Sequence, residues 1–298
     1  MSSARISRHQ GFALLLLAFT LLYSNALRTF LSFSFDREHE HYSHIILIPF
    51  VVAYLLYLDR RKVFAVCNYD VSSGVTLSLA GVAIYALRLT LGESLSENDS
   101  LSLTVFSLYL FWLASFLFCY GRQAFRAGRF PLLFMLLIIP IPDLLLQKAI
   151  RFLQLGTAEV TAVLFQISGT PVLRQDTRFA LPGVVIDIAP ECSGIRSSLA
   201  LFITGLLAGH LFLRTGFRKT ALAVAIIPLA ILKNGIRIVS LTLLSIYVDP
   251  GFLTGRLHRE GGFVFFGITL LLMGGLLWLL QKTEKRKPSL IVEAGNVH

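Results

Sequence analysis

Long apolar runs separated by short polar or basic segments recur along the whole chain, at 11–27, 45–58, 75–91, 101–120, 131–146, 194–213, 220–248 and 262–280. A helix needs roughly 20 apolar residues to cross about 30 Å of hydrocarbon, so several runs lie near the lower limit. Together they predict an all-α polytopic membrane protein with about eight transmembrane helices. The first run follows Arg5 and Arg8, and Ser24-Asn25-Ala26 loosely resembles a signal cleavage site; we read it as a retained span. Residues 148–167 are amphipathic and are expected to lie at the interface or to re-enter the membrane. Pro140-Ile141-Pro142-Asp143 is expected to break a helix near the outer surface.

From Val172 to Ile188 the pattern changes. Arg174, Asp176, Arg178 and Asp187 alternate with Phe179, Val184, Val185 and Ile186 around Pro182-Gly183, which reads as a short extracytoplasmic β-hairpin. It delivers the chain to Cys192.

Composition agrees with the span pattern. Of 298 residues, 55% are hydrophobic and 15% charged, with a mean hydropathy of +0.72, which no soluble surface would carry. The net charge of +10 sits in short segments between the runs, so the positive-inside rule accounts for it and nucleic acid is excluded as a partner. With eight spans, the clusters around Arg60, Arg122, Arg214 and Lys282 fall on one side, and Asp36/Glu38/Glu40 and Glu93/Glu97/Asp99 on the other. The expected topology in the cell (inner) membrane has both termini cytoplasmic, with the hairpin, Cys192 and His258 facing outward. We expect a single transmembrane domain over 1–280 and a flexible, basic cytoplasmic tail over 281–298.

Chemistry concentrates at three places. Cys192 lies in Pro190-Glu191-Cys192-Ser193-Gly194-Ile195-Arg196, just before or at the first turn of a long apolar helix. There, backbone N–H groups and the positive end of the helix dipole favour an anionic sulfur. Arg196 is four residues on, expected on the same helical face in a supporting role. Arg237 is a cation inside the apolar run 220–248, an expensive position that calls for a polar cavity and a partner. Asn234 and Lys233, three and four residues earlier, are expected to share its surface. His258, before the last run, has the pKa range for proton transfer. A thiol that attacks, an imidazole that moves protons and a guanidinium that holds negative charge make a nucleophilic site.

Other residues point elsewhere. Cys67 and Cys119 form no CxxC pair and are expected to be small buried or interfacial residues. Glu38-His39-Glu40-His41-Tyr42-Ser43-His44 holds metal-ligand residue types, yet nothing elsewhere completes a site. We expect a structural or substrate-facing role for Tyr42 and His44, with no metal and no cofactor.

Glu191-Cys192-Ser193-Gly194-Ile195-Arg196, Asn234-Gly235-Ile236-Arg237-Ile238, His258 before the last span, and Tyr42-Ser43-His44 leading into Ile48-Pro49 resemble the exosortase and archaeosortase family of multispanning cysteine transpeptidases. The resemblance covers most of the chain. It implies that Cys192 forms a thioester with the substrate, Arg237 stabilises the oxyanion, and His258 is the general acid/base, with Arg196 and Asn234 in support. The implied partners are membrane lipids and secreted proteins ending in a PEP-CTERM-like motif, a transmembrane helix and a basic cluster. The implied acceptor of the thioester is a lipid, a glycan or water. A purely hydrolytic cysteine protease and a small transporter are the competing readings; in the transporter, Arg237 and Lys233 would line a polar pathway.

Overall fold

The computed structural model describes residues 7–35, 42, 45–253 and 262–284. The chain divides into two compact units, Met1–Ile150 and Arg151–His298.

The first unit is built around α6 (Glu97–Ala127), most of whose surface is buried. Its buried hydroxyls are satisfied within the unit: Ser102 and Ser115 donate to the carbonyls one turn back, and Ser107 donates across to Gly81 O at 2.8 Å. Against it lies α5 (Val71–Leu91), brought close by glycine: a Cβ at Gly74 would come within 2.6 Å of the Phe118 ring. Near its end α6 is dislocated at Gly121, whose φ of 79° only glycine adopts readily, and a Cβ there would meet the carbonyl of Asn68. Around this core lie α1 (Arg8–Leu22), α2 (Ser24–Phe35), α3 (Leu47–Leu58), α4 (Arg60–Val63) and α7 (Arg129–Phe134).

A polar knot fixes the end of this unit. Asn98 Nδ2 donates to Ile141 O at 2.8 Å and to Asp143 Oδ1 at 2.7 Å. Its Oδ1 accepts from the Tyr42 hydroxyl at 2.8 Å. Ser96 donates to the second oxygen of Asp143, whose own N–H donates to Asp99. The knot clasps the Pro140–Pro142 elbow, where Arg129–Ile138 and Asp143–Ile167 meet at 91°.

That elbow corrects the expectation of a span over 131–146. Neither Pro140 nor Pro142 can donate a helical hydrogen bond, so the chain turns, and residues 143–167 continue as one helix, α8 (Asp143–Ile167). A second bend of 69° separates α1 from the beginning of α2. Among the described residues five helices are long and apolar enough to cross a membrane, or up to seven if each bent pair is one span, and the run expected at 45–58 forms the shorter apolar helix α3. Apolar runs record burial in lipid or protein but not the bends inside them.

In the second unit the segment after α8 forms three antiparallel strands, β1 (Leu173–Gln175), β2 (Arg178–Leu181) and β3 (Val184–Asp187), in that order, where one hairpin was expected. The added turn is made by Asp176 at φ 53°, held by Arg151 at 2.7 Å, and the second by Pro182-Gly183. Phe179 points inward onto Phe165 of α8 and closes the sheet's core. Then follow α9 (Ile195–Phe212), α10 (Gly216–Tyr247) and α11 (Gly262–Lys282), packed through Leu201, Leu222, Ile226 and Met273. Gly205 admits Ile226, which a Cβ would meet at 2.2 Å. Glu284 accepts from the backbone N–H groups of Arg214 and Thr215 and anchors the end of α11 to the start of α10.

Candidate active site

The sheet sets where the thiol stands. After β3, Ile188 is buried and its carbonyl accepts from Gln154 of α8 at 2.7 Å, which fixes the strand's exit. Pro190 then starts a single 3₁₀ turn, Pro190–Ser193, closed by the Cys192 N–H donating to Ala189 O at 2.9 Å. Gly194, at φ 77°, redirects the chain into α9. Cys192 therefore lies just ahead of its helix, half-buried against the Phe165–Phe179–Val239 cluster.

This break corrects one expectation. With a left-handed residue between Cys192 and Arg196, the four-residue spacing no longer places them on one helical face; Arg196 stands exposed in the first turn of α9.

Two neighbouring residues of α10 grip the turn from its other side. Asn234, almost fully buried, donates through Nδ2 to the Cys192 carbonyl at 2.7 Å and to Thr157 Oγ1 of α8 at 3.4 Å. Its side chain fills the space over Gly194, where a Cβ would lie 3.2 Å from Asn234 Oδ1. That oxygen is buried and accepts no hydrogen bond from any described residue. Lys233, also buried, donates to Ser197 Oγ, and Ser197 donates in turn to Gly194 O at 3.0 Å. The backbone from Cys192 to Gly194 is thus held by Asn234 directly and by Lys233 through Ser197.

Arg237 follows one turn later on α10, half-buried. Close approach of α10 to α8 makes this geometry possible: a Cβ at Gly235 would come within 2.6 Å of Val160. The structure therefore brings Asn234 onto the Cys192 turn, with Arg237 one turn along the same helix, and adds Lys233, which reaches Gly194 through Ser197. His258 lies outside the described residues, as do Ser43, His44 and the 38–41 part of the acidic and histidine cluster. Tyr42 is buried in the first unit's polar knot. Cys119 is buried beside Tyr120 and Phe116, and Cys67 is half-buried against the same cluster.

Ser197 and Thr157 escaped the sequence reading, since a hydroxyl three or four residues along an apolar helix usually back-bonds to its own carbonyls. The one available signal was Gly194, whose place between a polar turn and a helix marks a close approach of backbone to side chain.

The model of the transmembrane exosortase family matches residues 36–275, most of the chain and all of the residues just described. The chain belongs to this family. No curated protein and no solved structure gives a significant match. Membership and the apolar helices together make the chain a multi-pass membrane protein.

Proposed function

We propose that this exosortase cleaves the C-terminal sorting signal of secreted proteins through a thioester on Cys192 and transfers the new C-terminus to an acceptor at the cell surface. The observation that carries the reading is the Cys192 turn, clamped by Asn234, which stands one helical turn before Arg237 on α10.

In the first step the Cys192 sulfur attacks the scissile carbonyl carbon, and its proton passes to a base, the role we give His258. The negative oxygen that develops is stabilised by Arg237, whose donors are rigid and whose charge is fixed. As the tetrahedral intermediate collapses, the C–N bond breaks, the proton moves from the imidazole to the departing amine, and an acyl-thioester remains. A hydroxyl or amine of a lipid or glycan then attacks the thioester, loses its proton to the imidazole, and releases the thiol.

A rigid turn serves this sequence because a nucleophile displaced by 1 Å loses about 10²-fold in rate. Substrate motifs in extended conformation can pair with an edge of the β1–β3 sheet, which immediately precedes the thiol in the chain. In the topology we propose, the sheet and Cys192 face the extracytoplasmic side and both termini the cytoplasm.

The test is co-expression of secreted proteins that end in a short motif, an apolar helix and a basic tail, with the wild type and with Cys192→Ala. Loss of processing only in the variant, with a mature C-terminus heavier than the hydrolysed peptide, is expected. A free carboxylate at the cleaved end would mean that water is the acceptor. Processing by the alanine variant at the wild-type level would remove Cys192 from the mechanism.

A further inference from the structure

The first unit contains a cavity of about 560 Å³ at the bend between α1 and α2, walled on its other sides by α5 and α6. The 69° bend swings α2 out of line with α1 and leaves the hollow. It is lined unevenly along its length. One end holds Arg88, in the last turn of α5, and Glu97 and Ser100, at the start of α6. The other end holds Leu22, Val82 and Phe111. From Glu97 to Phe111 the α6 wall rises about 21 Å at 1.5 Å per residue, most of the way through a hydrocarbon layer of about 30 Å. The polar end coincides with the ends of two spans, so it lies where a bilayer changes from tails to head groups.

The polar end has the right chemistry for a head group. Arg88 Nε donates to Ser100 Oγ at 3.0 Å, which steadies the guanidinium, and its two terminal nitrogens donate no hydrogen bond to another described residue. Glu97 lines the same end, yet it makes no ion pair within 4.0 Å of Arg88. A cation and an anion that line one end of a cavity without pairing, with Leu22, Val82 and Phe111 toward the other end, complement a phosphate and an ammonium joined by a short link. A singly charged anionic lipid would satisfy Arg88 and face repulsion from Glu97. A free fatty acid would do the same.

We propose that this cavity binds a zwitterionic phospholipid of the phosphoethanolamine kind. Its phosphate lies on Arg88, its ammonium faces Glu97, and one acyl chain runs along Leu22, Val82 and Phe111. The second chain stays in the bilayer through the open side of the cavity. This site is independent of Cys192 and concerns the first unit alone.

The full chain in detergent, exposed to phosphatidylethanolamine or phosphatidylglycerol and weighed by native mass spectrometry, tests the assignment. Wild type is expected to retain one phosphatidylethanolamine per chain in preference to phosphatidylglycerol. Loss of a charge-assisted phosphate contact in Arg88→Ala should weaken retention about 10-fold, and Arg88→Lys should restore part of it. Glu97→Gln should erase the preference between the two lipids. Val82→Trp, a change on an exposed position that fills the cavity, should displace the lipid without disturbing thermal unfolding. Retention unchanged in both Arg88→Ala and Val82→Trp would show annular lipid only and overturn the site. A preference untouched by Glu97→Gln would overturn the zwitterionic head group.

Discussion

Two buried asparagines, one in each unit, hold two different kinds of joint in this molecule. Asn98, in the first unit, uses its whole amide: the oxygen accepts from Tyr42, and the nitrogen donates to Ile141 and Asp143. Asn234, in the second, donates to Cys192 and Thr157, while its buried oxygen accepts nothing from the described residues. A closed network stabilises and fixes one conformation; an open one costs about 1–3 kcal/mol for each unsatisfied group and is kept where something else is gained. The first arrangement holds an elbow in the fold. In the second, the same residue type holds a turn that carries a thiol.

The largest effect expected from breaking this contrast is chemical. Cys192→Ala or Cys192→Ser should lower signal processing by about 10⁴-fold or more while membrane insertion and thermal unfolding stay as in the wild type. Arg237→Ala should cost about 10²–10³ in the rate of processing, the usual price of one oxyanion donor, and Arg237→Lys should recover only part. Single-turnover rates on a tethered substrate would measure both. An Arg237→Ala rate within about twofold of wild type would leave the guanidinium without a part in the chemistry.

The asparagines themselves give the sharper comparison. Asn98→Ala removes three hydrogen bonds from the knot, leaving the Tyr42 hydroxyl only its 3.2 Å bond to Ile141 O, and should destabilise the protein by about 2–3 kcal/mol, whereas Asn234→Ala should cost about 1 kcal/mol and act mainly on processing. Unfolding in mixed micelles, set beside processing rates, separates the two. Equal stability losses would erase the distinction between a closed and an open network. Gly194→Ala adds a left-handed alanine, about 1–2 kcal/mol of strain, together with a Cβ 3.2 Å from Asn234, so processing should fall about 10-fold through a displaced turn.

The smallest effect is one of pH. Burial, reinforced by the nearby Asp143 and Asp99 carboxylates, pushes the Tyr42 hydroxyl up to about 12 from its ordinary 10. The folded state thus favours the neutral phenol, and the stability this provides is fully present below pH 10. It is lost as pH rises from 10 toward 12. Circular dichroism across that window should show the decline in the wild type and a flatter profile in Tyr42→Phe.

Much of the site was legible before any coordinates. Cys192, Arg237 and Asn234 announce themselves because each is a polar group whose presence in or beside an apolar run demands a reason. Lys233 belongs to the same helix and was legible as its neighbour, but its bond to Ser197 joins two helices and leaves no periodic trace in either. The bends were hidden for a related reason. Hydropathy reports that 11–27 and 131–146 are apolar, not that Tyr23 separates two helix axes or that Pro140 and Pro142 turn the chain through a near right angle. The third strand was hidden because β1 has only three residues, too few for alternation to register.

At 32 residues, α10 is about 48 Å long, some 18 Å more than the oily layer it crosses. Arg237 stands ten residues before its last residue, Tyr247, or about 15 Å along the axis. If the surplus emerges at that end, the guanidinium rises level with the lipid head groups while the rest of the helix still bridges the bilayer. In that register an overlong rod carries a cation on a greasy helix at little solvation cost, and its axial position sets how much water that cation meets.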